Sequence, residues 1–401
     1  MKIETKAIHA GNIPELSRDV TSAIHMSTTF HKAEDGSTPG GHLYSRPSNP
    51  NREALERALA ALEQAAGEQS AGERGVEPTA AALAFSSGSA GTLTLLQCLA
   101  PGDHVICPED AYYGTPILLK TVMAQWGLKF TLVNMQDMNA VERAVTPATK
   151  LIWVETPSNP LLSITDLNAV VAIAKKCGAF VAADNTWATP LLQRPLELGV
   201  DVVMHSVTKY LSGHSDVLSG ALVFKTAGET SASSAGSASG GNSLYQRARH
   251  IQHEGGAVPS PFECWLTLRG LQTFPYRVRA QCESAQRIAE FLEKHSKIES
   301  VHYPGLPSHS GHQIARRQMS AFGGMMSIQV KGGEKEAFKV AGGVKLFSHA
   351  TSLGGTHSLI EHRASVEGAD TRSPKNLLRL SIGLEHPDDL MEDLEQALKK
   401  I

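Results

Sequence analysis

The sequence predicts an α/β fold: a large, mostly parallel sheet covered by helices, followed by a smaller α+β unit. Three observations carry this. Between residues 81 and 206, short apolar runs alternate with stretches of helical periodicity. Those runs are apolar at nearly every position, as in strands buried on both faces. Beyond residue 250 the alternation gives way to long helix and a few separate strands.

In chain order, residues 1–50 read as extended arm and loop. "TSAIHMSTTF" is followed by "HLYSRPSNPN", too rich in Pro, Asn and Ser for a helix. "REALERALAALEQAA" has apolar residues at helical spacing, and "GEQSAGERGVEPT" breaks it as a flexible excursion. "AALAF" is then a buried strand and "GTLTLLQCL" a helix; "DHVICP" is a strand, "PILLKTVMAQW" a helix and "KFTLVN" a strand. "MNAVERAV" is a helix, "KLIWVE" a strand, "LNAVVAIAKKCG" a helix, and "AFVAAD" and "DVVMHS" are strands. Residues 226–243 are Ser/Gly/Ala-rich and read as a mobile surface loop. "PFECWLTLRGLQTFPYRVRAQCESAQRIAEFLEKH" reads as long helix interrupted at Pro275. "GMMSIQV" and "LLRLSIG" are strands, and "DDLMEDLEQALKK" is a closing helix. This divides the chain into an N-terminal arm (1–50), an α/β domain (51–249) and a C-terminal α+β domain (250–401).

The composition excludes several functions. With 401 residues, 41% of them hydrophobic, the core needs no disulfide or metal to fold. A net charge of −3 without a basic block argues against nucleic acid. No apolar run approaches the roughly 20 residues of a membrane span, and "MKIETKAIHAGN" lacks the apolar core of a signal peptide. The five cysteines are odd in number and form no CxxC pair, as expected of reduced thiols in a cytoplasmic protein.

In open parallel sheets, ligands sit beyond the carboxyl ends of the strands. Three segments fall there. "AFSSGSAGTLTLL" turns through Ser86, Ser87, Gly88 and Ser89 into a helix, aiming backbone N–H groups at whatever sits before it. Alone, this is an ordinary N-cap. "AFVAADNTW" ends an apolar strand on Asp184, a carboxylate that must be paired; it could cap a loop or hold a positive ring nitrogen. "HSVTKYLSGHSD" sets Ser206 and Thr208 on one side of an extended chain, with Lys209 beside them. A partly desolvated lysine has a lowered pKa and forms imines. His205, His214 and Asp216 match no common zinc spacing, so no metal is expected, and the two histidines read as structural. Phosphate cradle, ring-nitrogen carboxylate and imine lysine together describe pyridoxal 5'-phosphate.

The chain also resembles the Cys/Met-metabolism family of pyridoxal-phosphate enzymes. The resemblance rests on "YSRPSNPNR", "AFSSGSAG", "DAYYGT", "WVETPSNP", "ADNTWATP", "HSVTKYLSGHSD", "SPFECWLTLRGLQT", "VHYPGL", "ATSLGGTHSLI" and "LLRLSIGLE", in family order along nearly the whole chain. It implies a fold type I transferase acting on a small amino-acid substrate, and a homotetramer built from dimers that share active sites. At matching positions Lys209 would carry the cofactor, and Asp184 would bind the pyridine nitrogen. Gly88, Ser89, Ser206 and Thr208 would bind the phosphate, with Tyr44 and Arg46 reaching the phosphate of a neighbouring subunit. Tyr112 would stack on the ring and assist proton traffic. Asn159, Ser352 and Arg379 would hold the ring-hydroxyl side and the substrate carboxylate, a task that suits a planar guanidinium.

The sequence departs from the family's usual pattern in places. Tyr113 replaces the first glycine of a Tyr-Gly-Gly-Thr motif. Gly114 stands where methionine γ-lyases have cysteine. Thr351, on the substrate side, replaces a frequent glutamate and cannot pair with a distal ammonium. His357 replaces another frequent glutamate. The resemblance points first to cystathionine γ-lyase, giving cysteine, 2-oxobutyrate and ammonia. Cystathionine γ-synthase comes next, then cystathionine β-lyase or an O-acylhomoserine sulfhydrylase. A silent scaffold on the same fold is the non-enzyme alternative; it would not need Lys209, Asp184, Tyr112 and Arg379 together.

Overall fold

The computed structural model describes residues 1–12, 19–64, 79–225, 243–368 and 371–401. The apolar runs become a seven-stranded sheet: β1 (Ala80–Phe85), β2 (His104–Pro108), β3 (Lys129–Val133), β4 (Thr149–Glu155), β5 (Phe180–Asp184), β6 (Val202–His205) and β7 (Gly220–Lys225). Its order is β1-β7-β6-β5-β4-β2-β3. The pairs from β6 through β5, β4 and β2 to β3 are parallel. β7 runs antiparallel between β1 and β6. Helices cover both faces, so strand residues such as Val154, Ala182 and Val203 are fully buried.

Helix ends follow local chemistry. Asp166 caps Leu167–Cys177 through the N–H of Ala169, and Gly178 closes that helix with φ 72°. Ser260 and Glu263 form a reciprocal capping box at the start of Pro261–Leu271. This last helix packs on Pro50–Glu63, which also covers β1. The C-terminal region adds a second, five-stranded sheet: β8 (Ile298–His302), β9 (Met325–Val330), β10 (Ser348–His349), β11 (Leu359–His362) and β12 (Leu377–Ser381), in the order β10-β11-β12-β9-β8.

Several differences from the sequence reading have physical causes. The arm is not wholly extended: Ile3–His9 is a helix, anchored by buried Ile3 and Ala7 and by Lys6 Nζ donating to the Gln64 carbonyl at 3.0 Å. The long helix is broken at Gln272–Thr273 rather than at Pro275; the proline sits in the first turn of Phe274–Glu293, where its missing N–H costs nothing. The segment read as one helix over 116–126 carries a π-helical turn at Leu119–Met123. β7, between the lysine loop and the low-complexity segment, is a strand that the sequence reading does not contain, and so are β8, β10 and β11. Helix Leu244–Gly255 carries the chain across the expected boundary at 249/250. The excursion within 65–78 and the loop within 226–242 lie outside the described residues.

Candidate active site

At the carboxyl end of β1 the chain turns through Ser87 in an extended conformation. Its Oγ accepts the Ala90 N–H at 3.1 Å and starts the helix Gly88–Gln97. The first N–H groups of that helix face the strand ends, where a phosphate is favoured. Ser206 and Thr208 follow β6 on the opposite side. The Ser206 N–H donates to Thr186 Oγ1 at 2.8 Å, and the Thr208 hydroxyl is bonded to Ser219 through both its N–H and its carbonyl. Close approach depends on Gly220: a Cβ there would lie 2.2 Å from the Ser87 carbonyl oxygen and 2.5 Å from the Gly88 nitrogen.

Asp184 ends β5 nearly buried, its Oδ1 accepting the Thr186 N–H at 3.0 Å. Burial pushes its pKa up, against the pull of Thr186 and His205. His205 itself meets Glu63: Nε2 lies 2.6 Å from Oε1, both side chains buried. His214 is tied to its own loop through Nδ1 and the Ser212 carbonyl at 2.7 Å. Lys209 Nζ donates to Ser352 Oγ at 2.9 Å. Burial brings the amine down to about 8, helped by Arg379 and Arg363 and opposed by Glu361. The loop after Lys209 is pinned by Arg277, which donates to the carbonyls of Tyr210, Leu211 and Gly270. Gly213, at φ 71°, leaves room for that guanidinium, since a Cβ would lie 1.7 Å from Nη1.

The second sheet supplies the other wall. Arg379 on β12 donates from Nη1 to Asn159 Oδ1 at 3.0 Å, and from Nη2 to the Ser352 carbonyl at 3.1 Å and to Glu361 Oε2 at 2.6 Å. Glu361 is its register partner on β11. Burial raises the Glu361 carboxyl, but Arg379, Thr351 and Arg363 outweigh this and hold it below its ordinary value. Arg363 reaches the same carboxylate at 2.9 Å, bonds Glu367 at 3.0 Å and lies 5.7 Å from the Tyr113 ring centre. Ser352 holds its carbonyl and hydroxyl in place at φ 108°, rare for a residue with a side chain. The rings of Tyr112 and Tyr113 pack 4.8 Å apart. Burial, then Tyr113, pushes the Tyr112 hydroxyl up to about 12, so it stays protonated at neutral pH.

These walls enclose a cavity of about 460 Å³. Gly88, Ser89, Tyr112, Asn159, Asp184, Ser206, Thr208, Lys209, Thr351, Ser352 and Arg379 all line it. Tyr44 and Arg46 do not. Both are exposed on the arm, where Arg46 Nη1 donates to the His253 carbonyl. His357, one of the departures, is also outside the lining and bonds Thr356 at 3.2 Å. The sequence reading assigns no role to Glu155, Thr186, Trp187 or Arg363, which line the cavity too. Asp184 holds a signal for one of these: Glu155 ends a neighbouring apolar strand in the same manner.

The donor set fits pyridoxal phosphate. The helix start and hydroxyls suit its phosphate, the partly desolvated amine its aldehyde carbon, and the buried Asp184 its ring nitrogen, at mutual positions set by adjacent strand ends. Fold and site therefore define a pyridoxal-phosphate enzyme of the α/β type. The comparisons make this specific. The pattern of the Cys/Met metabolism PLP-dependent enzymes matches residues 4–399. Cystathionine γ-synthase of Mycobacterium tuberculosis is 45% identical, over 98% of this chain and 96% of its own. Cystathionine β-lyase of Coxiella burnetii is 42% identical, over 99% of this chain and 97% of its own. The crystal structure of cystathionine γ-lyase from Lactobacillus plantarum, complexed with L-serine, superposes with a TM-score of 0.88 at 36% identity, covering 100% of this chain and 99% of that one. The chain belongs to the Cys/Met metabolism family of PLP-dependent enzymes, and acts on sulfur amino acids in transsulfuration. Among the described residues, no helix is long and apolar enough to cross a membrane.

Proposed function

We propose that the enzyme is a γ-replacement catalyst of the cystathionine γ-synthase type, joining cysteine to an O-acylhomoserine and releasing the acyl group as a carboxylic acid. The lining of the cavity carries this reading. Beyond the tyrosine pair its wall is Ile117, Leu118, Thr121, Val122 and Leu218, and its lining carboxylates, among the described residues, are Glu155 and Asp184. An uncharged acyl tail suits that wall. Thr351, on the substrate side, is small and uncharged, and the Glu361 carboxylate it bonds is already committed to Arg379 and Arg363. The 45% identity to a relative named cystathionine γ-synthase agrees.

In this reading Arg379, with Asn159 beside it, grips the substrate carboxylate. Lys209, neutral above about pH 8, takes the α-proton and returns one further along the chain. Tyr112 covers the ring and keeps its proton as a donor. The bound cofactor supplies the electron sink that makes carbanion chemistry possible. The reading also carries Tyr44 and Arg46 to the phosphate of a neighbouring subunit in a homotetramer. Their exposure and their distance from their own cavity support it.

The second reading is cystathionine γ-lyase, the reaction to which the sequence resemblance points first. The 0.88 superposition on a γ-lyase over the whole chain favours it. One assay separates the two: purified enzyme with O-acetylhomoserine plus cysteine, against cystathionine alone. Faster formation of cystathionine from the ester supports γ-replacement. Faster 2-oxobutyrate release from cystathionine overturns it in favour of the lyase.

A further inference from the structure

Glu155 and Asp184 end adjacent parallel strands and are register partners, so their side chains emerge side by side. Both are nearly buried and both line the cavity. Asp184 has a task, the ring nitrogen; Glu155 has none. One of its oxygens, Oε2, accepts the Tyr112 backbone N–H at 2.6 Å. No described residue hydrogen-bonds its other oxygen, Oε1, and none forms an ion pair with it.

Two carboxylates this close in a buried site cannot both be ionised without a cation for each. The pyridinium nitrogen brings one cation, which belongs to Asp184. We propose that the pair divides a single charge, Asp184 ionised and Glu155 a neutral acid, so that Glu155 positions Tyr112 and the edge of the bound ring by hydrogen bonds rather than by charge. This rests on the pyridoxal-phosphate reading of the cavity.

Burial and two carboxylates oppose a charge on Glu155 and outweigh the Tyr112 N–H and Arg363, which favour it. Asp184 on β5 and Asp110 in the loop after β2 both disfavour its ionisation, in addition to burial. Cys107 on β2 has its thiol pushed well up by burial and stays neutral. Tyr112 is likewise held protonated. Among the described residues, the cation that favours the ionisation of Glu155 is Arg363, which is committed to Glu361 and Glu367. As an acid, Glu155 keeps a carbonyl oxygen for the Tyr112 N–H and an O–H directed at the cavity. A positioned Tyr112 backbone is what fixes the stacking ring above the cofactor.

A glutamine is a neutral isostere and offers the same acceptor and a donor. The test compares Glu155→Gln and Glu155→Ala with wild type as holoenzymes. It reads pyridoxal-phosphate affinity by equilibrium dialysis, the visible circular dichroism of the bound cofactor, and its absorbance from pH 6 to 9. Glu155→Gln is expected to stay within about threefold of wild type in affinity, with the same pH profile. Glu155→Ala is expected to lose roughly tenfold, through the orphaned Tyr112 N–H, with weaker dichroism. The infrared difference between wild type and Glu155→Gln should show the loss of a protonated-carboxyl band. Loss of an ionised-carboxylate band, a displaced pH profile in Glu155→Gln, or failure of that variant to fold would each overturn the proposal, as would an alanine variant indistinguishable from wild type. Failure of the cofactor reading would look different: wild type itself would bind no pyridoxal phosphate.

Discussion

The amine of Lys209 is poised near neutrality because burial, Arg379 and Arg363 all oppose its charge, with Glu361 pulling the other way. Only a neutral amine attacks the aldehyde of pyridoxal phosphate. Cofactor uptake by the stripped enzyme should therefore speed up as pH rises through about 8, then level off. In Arg379→Met a cation is gone and Glu361 is less compensated, so both changes favour the ammonium form and the transition should move to higher pH. Stopped-flow absorbance across the range checks this; a transition that stays put or moves down contradicts it. The same amine weakens the fold below about pH 8, because its ammonium form is disfavoured in the native state; that penalty fades as pH rises from about 8 to its ordinary value of 10.5. Thr351 tests the substrate reading. Placing a carboxylate there by Thr351→Glu should raise the preference for cystathionine over an O-acylhomoserine by about tenfold, the value of one charge-assisted hydrogen bond. Relative kcat/KM values measure it, and an unchanged ratio means that Thr351 does not face the distal end. Residues whose type alone implies a chemistry were legible in the sequence: a lysine between hydroxyls, an aspartate closing an apolar strand. Glu155 and Arg363 were not: Glu155 takes its meaning from a neighbour distant in sequence, and Arg363 stands among local carboxylates that read as ordinary surface pairs until Arg379 and the Tyr113 ring are brought to it. The Glu155 partner is one strand away, and the Arg363 partners are Glu361, Glu367 and the face of Tyr113.

The elements that build the site are strand ends and a helix start, and their spacing relies on one residue without a side chain. Gly220, at the start of β7, passes the turn proposed to hold the phosphate so closely that Gly220→Ala must push back Ser87 and Gly88. The variant should keep its far-ultraviolet circular dichroism yet bind pyridoxal phosphate at least about tenfold more weakly, the cost of misplacing a hydrogen bond to a charged group. Equilibrium dialysis decides; unchanged affinity would mean that the turn does not hold the phosphate. At this scale the sequence revealed the parallel strands and their covering helices, since an unbroken apolar run and a 3.6-residue period are local signals. It did not reveal β7, a strand of similar composition whose antiparallel place between β1 and β6 is decided by pairing. Nor did it reveal Ile3–His9, too short to signal by periodicity and held by the tertiary contacts of Ile3, Lys6 and Ala7. Pro275 reads as a break in the sequence, although its position in a first turn makes it a start.

In the whole molecule, the cavity lies between the two sheets, with Lys209 and Asp184 from the first and Arg379 from the second. Arg379, Ser352 and Lys209 form a hydrogen-bonded chain across this junction. Among the described residues of a single chain, none from the arm lines the cavity. If Arg46 serves a neighbour's phosphate, then Arg46→Ala and Lys209→Ala subunits, each inactive or nearly so alone, should complement when refolded together. Each hybrid pair would hold one intact site, giving about a quarter of wild-type activity on random mixing within a two-fold dimer. No recovery would return Arg46 to its own subunit. The claim on which everything else depends is that Lys209 carries the cofactor. Borohydride reduction of the purified enzyme, followed by peptide mapping, tests it most directly. The account predicts a pyridoxyl group on the peptide containing Lys209, and none in Lys209→Ala; a pyridoxyl group on any other lysine, or none at all in the wild-type protein, would contradict it.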